Sequence, residues 1–115
     1  MVAAVVAYVV LAGLAVFQIA LAAGAPLGHL AWGGQHRILP TGLRIGSVVS
    51  VLVYGAMAWI IAVSLDGGTA ALWVITAYFA IGILANAISR SRAERFVQTP
   101  VAAVLFGCCL VIALA

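Results

Sequence analysis

The chain has 115 residues, of which 68% are hydrophobic and 6% charged, with a mean hydropathy of +1.35 and a formal net charge of +3. A soluble domain carries roughly a quarter charged residues, so this composition excludes a water-soluble globule and points to a membrane. The positive balance comes from five arginines and no lysine, all in two short segments, which suits an anionic lipid surface and offers nucleic acid no footing.

The first apolar run, Val2 to Ala23, approaches the roughly 20 residues that cross a hydrocarbon core of about 30 Å. Ala20-Leu21-Ala22 and Ala23-Gly24-Ala25 resemble a signal-cleavage pattern, but the run lacks a basic n-region and exceeds the usual apolar length, so it reads as a retained span. Gln18 is its one strongly polar side chain. The segment GHLAWGGQHRILPTGLR, Gly28 to Arg44, follows, holding both histidines (His29 and His36), Trp32, Gln35, Arg37 and Arg44. Pro26 and Pro40 bracket this segment and Gly33-Gly34 splits it, so it predicts a loop at the membrane interface with Trp32 at headgroup depth.

The second run, Ile45 to Leu65, opens with Ser47 and Ser50. Asp66-Gly67-Gly68 then predicts a tight turn, with Thr69 capping the third run, Ala70 to Ile88, and helices two and three as antiparallel neighbours. Trp59, Trp73 and Tyr8 fall where an aromatic belt at the opposite face is expected. Asn86 lies near the end of the third run, at the depth of Gln18 and the two serines. Arg90, Arg92 and Arg95 precede the fourth run. Thr99-Pro100 has the form of a cap followed by a first helical proline, while Ser91-Arg92-Ala93-Glu94 has capping-box spacing. A short helix from about Arg92 to Gln98, kinked at Pro100, would lengthen a fourth span that is otherwise brief.

With four spans, all five arginines fall on one side, which the positive-inside rule assigns to the cytoplasm, leaving both termini outside. The sequence thus predicts an all-α polytopic protein: one transmembrane domain, residues 1–115, in an antiparallel four-helix bundle. The spans are expected at about 2–23, 45–65, 70–88 and 99–115, with cytoplasmic loops at 25–44 and 89–98.

Few residues carry chemistry. Two histidines in one loop and two separated carboxylates, Asp66 and Glu94, do not make a zinc or bis-histidine haem site, so no metal or other cofactor is expected. Cys108 and Cys109 are adjacent and read as small apolar fillers. No Ser-His-Asp set, carboxylate pair or phosphate-cradling glycine loop occurs, so no catalytic residue is assigned and enzymatic activity is not expected. Two candidate sites remain. Arg37, Arg44, Arg90, Arg92 and Arg95 can grip lipid headgroups or a partner in bidentate fashion. Gln18, Ser47, Ser50 and Asn86, roofed by His29, Trp32, Gln35 and His36, can form a polar pocket open to the cytoplasm. The alternative is ordinary interhelical hydrogen bonding.

The blocks GHLAWGGQHRILPTGLR and NAISRSRAER resemble the two loop signatures of small bacterial four-span membrane proteins with no assigned activity. That resemblance implies a bacterial inner membrane but no substrate or cofactor. The chain is also similar in size to the small multidrug transporters, but their membrane-embedded glutamate is missing from a first run that offers only Gln18. The glycine-arginine and phenylalanine-rich signatures of fluoride channels are not evident. The expected function is therefore a non-enzymatic integral membrane protein that self-associates or serves as an accessory subunit of a larger membrane complex, its arginine and histidine face meeting anionic lipid or a partner. A small oligomeric channel or transporter and a headgroup-binding membrane enzyme are the alternatives.

Overall fold

A computed structural model describes residues 2–30, 36–65, 69–89 and 91–114, the His29 side chain aside. Among the described residues it is all-helical: α1 (Val2–Ala22), a 3₁₀ turn (Gly28–Leu30), α2 (Thr41–Val63), α3 (Ala70–Ala87) and α4 (Arg92–Leu114). Each of the four α-helices is long and apolar enough to cross a membrane.

Local chemistry explains the helix ends. α1 closes in a Schellman motif: Ala25 N–H donates to the Ala20 carbonyl (2.9 Å), Gly24 N–H donates to Leu21 (3.1 Å), and Gly24 takes a φ of +96°. Pro40, held extended at φ −67°, starts α2 at Thr41, four residues before the expected 45, because the Arg44 N–H already donates to the Pro40 carbonyl at 3.0 Å. Thr69 caps α3 as expected, its hydroxyl accepting from Leu72 N–H at 3.2 Å. The Asp66-Gly67-Gly68 turn lies outside the described residues.

α4 runs unbroken from Arg92 with Pro100 inside it, so the helix expected from about Arg92 to Gln98 is continuous with the fourth span and takes up most of the segment expected as the 89–98 loop. Ser91 is the effective cap, its hydroxyl accepting from Glu94 N–H at 3.1 Å. The Glu94 carboxylate accepts from the Ser89 hydroxyl at 3.0 Å, and that hydroxyl in turn accepts from Ser91 N–H at 3.2 Å, a capping box relayed through one extra serine.

The packing order is α2, α1, α4, α3. Contacts are extensive between α3 and α4, α1 and α2, and α1 and α4, and sparse between α2 and α3. The expected pairing of α2 with α3 therefore holds only near their connection, where the Ser64 and Thr69 hydroxyls meet at 2.9 Å. The main core gathers Ala4, Ala7 and Leu11 with Met57, Ile61, Leu72, Phe79, Leu105 and Cys109. These belong to the first half of α1, the first part and middle of α3, and the second half of α2 and α4. A smaller cluster, Leu21 and Leu39 with Phe17, Leu27 and Leu43, sits beneath the loop after α1. Outside the core the surface is apolar, with Val9, Leu52, Val74 and Val111 all exposed. Trp59 and Trp73 are exposed, whereas Tyr8 packs partly buried against the core and is not a free belt residue. Cys109 is fully buried, which fits its role as a filler.

Candidate functional site

A polar cleft opens where α2 and α3 fail to close. It draws on the last part of α1, the middle of α2, the middle and last part of α3 and the first part of α4. Its volume is about 260 Å³, and Gln18, Ser50 and Asn86 line it. Leu30 from the 3₁₀ turn, Tyr54, Tyr78, Glu94 and Gln98 complete the wall. A second cavity of about 100 Å³ shares Tyr54, Tyr78, Asn86 and Gln98 and continues into apolar surface at Leu14, Phe79 and Leu105. Tyr54 stands 13 residues into α2, roughly 20 Å along its axis, so polarity reaches far beyond the helix ends.

Hydrogen bonding fixes what the wall presents. The Ser50 hydroxyl donates back to the Gly46 carbonyl of its own helix at 3.0 Å. Gln98 Nε2 donates to the Leu30 carbonyl at 3.1 Å, tying α4 to the 3₁₀ turn and leaving the amide oxygen as acceptor. Gln18 is only 8% exposed, and its Oε1 is buried without a hydrogen-bond partner. Such an orphaned acceptor costs on the order of 1–3 kcal/mol unless something donates to it.

Several expected members lie elsewhere. Ser47 is fully buried and not part of the lining, because it faces the helix packing of α2. His36 is exposed and does not roof the cleft. Trp32, Gln35, Arg90 and the His29 side chain lie outside the described residues. Ser50, Ser64 and Thr76 each donate back to a carbonyl of their own helix.

The arginines divide by role. Arg37 and Arg92 are exposed. Arg95 lines a separate groove with Phe96, Thr99 and Pro100. Arg44 is committed to the fold: its Nε donates to the Leu39 carbonyl at 2.8 Å, and its guanidinium lies against Gly24, where a cation suits the C-terminal end of α1. None of the described arginines lines the cleft. Among the described residues no group of three or more His, Cys, Asp or Glu side chains could hold a metal. No protein family, curated protein or solved structure matches this chain.

Sequence reasoning missed Tyr54, Tyr78, Glu94 and Gln98 as cleft residues. Their spacing carries a signal: Ser50 with Tyr54, Tyr78 with Gly82 and Asn86, and Glu94 with Gln98 all recur at four residues, placing each set on one helix face.

Proposed function

We propose that this chain is a multi-pass membrane protein without enzymatic activity, which works as an assembly with further copies of itself or with the subunits of a larger membrane complex. In this reading the four spans are antiparallel in a bacterial inner membrane, with both termini outside. Arg37, Arg90, Arg92 and Arg95 meet anionic headgroups or a partner on the cytoplasmic side.

The open side of the cleft carries this reading. Tyr78 is 56% exposed, and Ser50 and Asn86 are half-buried, on a flank otherwise made of apolar side chains. Polar groups at membrane depth are ordinarily turned toward protein or water, because lipid chains offer them no hydrogen bonds. A protein surface laid over the gap between α2 and α3 satisfies that demand. The longest dimension, 41 Å, also suits a bilayer of about 40–45 Å with its headgroups.

The reach of the cleft from Asn86 to Tyr54 favours a second reading, a channel or transporter whose pathway forms between protomers. Native mass spectrometry of the protein released from its own membrane separates the two. A symmetric homo-oligomer whose flux is abolished by Gln18→Leu supports the transporter. A stoichiometric complex without flux supports the accessory subunit. A monomer carrying only lipid contradicts both.

A further inference from the structure

We propose that the groove beside the start of α4 holds one anionic phospholipid, with its phosphate on Arg95 and an acyl chain along Phe96 and Pro100. This site rests on the reading that the arginine end of the helices lies among headgroups, and it commits that end to lipid. The groove has a volume of about 470 Å³ and is lined by Ala87, the last residue of α3, and by Arg95, Phe96, Thr99 and Pro100 of α4. Arg95 is the one charged side chain in this wall, and among the described residues no hydrogen bond or ion pair engages its guanidinium. Glu94, next to it in sequence, lines the cleft instead, and Arg92, exposed and three residues earlier, adds positive charge on the Arg95 side of the helix.

Thr99 follows Arg95 by four residues, so it shares the same face about 6 Å further along α4. Its hydroxyl oxygen is buried with no hydrogen-bond partner. Phe96, 73% exposed, and Pro100 repeat the four-residue spacing alongside and make an apolar strip. A phospholipid carries the matching order along its length: an anionic phosphate, then ester carbonyls, then hydrocarbon. The guanidinium fork grips the phosphate in bidentate fashion. The Thr99 O–H donates to an ester carbonyl, which satisfies a group otherwise left buried and unpaired. A free phosphate would engage Arg95 alone and leave the apolar strip bare.

The test is native mass spectrometry of the full chain in a polyoxyethylene detergent, titrated with phosphatidylglycerol and with phosphatidylcholine of identical chains. One phosphatidylglycerol per chain is expected to bind about tenfold tighter than phosphatidylcholine, and excess inorganic phosphate should not displace it. Arg95→Gln should weaken phosphatidylglycerol binding about tenfold through loss of a charge-assisted bond, and Arg37→Gln, at an exposed arginine outside the groove, by a smaller factor. Thr99→Val should weaken it about fivefold yet leave unfolding stability unchanged or higher, because the hydroxyl it removes has no partner within the fold. Circular dichroism confirms that each variant keeps its helices, and if Arg95→Gln does not, Thr99→Val decides.

Equal affinity for the two lipids overturns the groove and the anionic-headgroup reading of the arginines together. Equal losses from Arg37→Gln and Arg95→Gln overturn the groove alone, since a diffuse positive field then accounts for the preference and the headgroup reading stands. Displacement by inorganic phosphate, or a Thr99→Val chain that binds as the native one does, also overturns the groove. A benzophenone side chain in place of Phe96 should give lipid adducts in the native membrane, and a discrete protein adduct there would mean that a subunit fills the groove in place of lipid.

Discussion

Gly28 offers the sharpest test of the loop geometry, because at this position two strands of backbone cross without room for a side chain. Its N–H donates to the Arg37 carbonyl at 2.8 Å. A Cβ built there would overlap the His36 carbonyl oxygen and stand 2.8 Å from that of Arg37. Both obstacles are backbone, so no rotamer change relieves them and the crossing must separate. Gly28→Ala should therefore forfeit the hydrogen bond, about 1 kcal/mol, and add overpacking strain of about 1–3 kcal/mol. The expected destabilisation is about 2–4 kcal/mol, measured by SDS-titrated unfolding in dodecylmaltoside micelles with helicity followed by circular dichroism. Gly13→Ala and Gly55→Ala are the controls. Both glycines lie within helices with nothing near the added methyl, so they should be neutral or stabilising by up to about 1 kcal/mol. A Gly28→Ala chain as stable as the native one would refute the crossing of residues 28 and 36–37.

Thr69→Val removes the α3 cap and the Ser64 partner together and should cost about 1 kcal/mol in the same unfolding assay. Gln98→Leu cuts the tie to the Leu30 carbonyl. Hydrogen exchange in the 3₁₀ turn should accelerate about fivefold, the equivalent of about 1 kcal/mol. An unchanged rate would show that the turn is held by other contacts. Pro100→Ala restores a helical N–H toward the Phe96 carbonyl and should stabilise the chain by about 1 kcal/mol, whereas a loss of stability would mean that packing requires the proline ring.

The four helices were legible because apolar runs of this length have few alternatives, and the Thr69 cap because its position before a long apolar run is unambiguous. The convergence of Gln18, Ser50 and Asn86 followed from their common distance to the arginine segments. The start of α4 was harder: Thr99-Pro100 has the local form of a helix start, and the relay from Ser89 through Ser91 and Glu94 overrides it by starting the helix at Arg92. The helix expected from about Arg92 to Gln98 already places Glu94 and Gln98 on one face, but the Ser91–Glu94 pattern reads as a cap alone, so neither was assigned to the cleft wall. The structural contacts of Arg44 were hidden for another reason. Its partners, Gly24 and the Leu39 carbonyl, are set by how the loop folds back, which no spacing along the chain encodes. Gly24 itself was readable as a helix stop, as a glycine just past the last apolar residues of α1.

The central claim, that protein covers the gap between α2 and α3, is tested most directly by photo-crosslinking in the native membrane. A benzophenone side chain replaces Ile81, one helical turn from Tyr78 and 68% exposed, and in a second variant Val9 on the outer face of α1, 66% exposed. The account predicts a discrete protein adduct from position 81, either a second copy of this chain or a stoichiometric subunit, and lipid adducts alone from position 9. Lipid adducts alone from position 81 would contradict it.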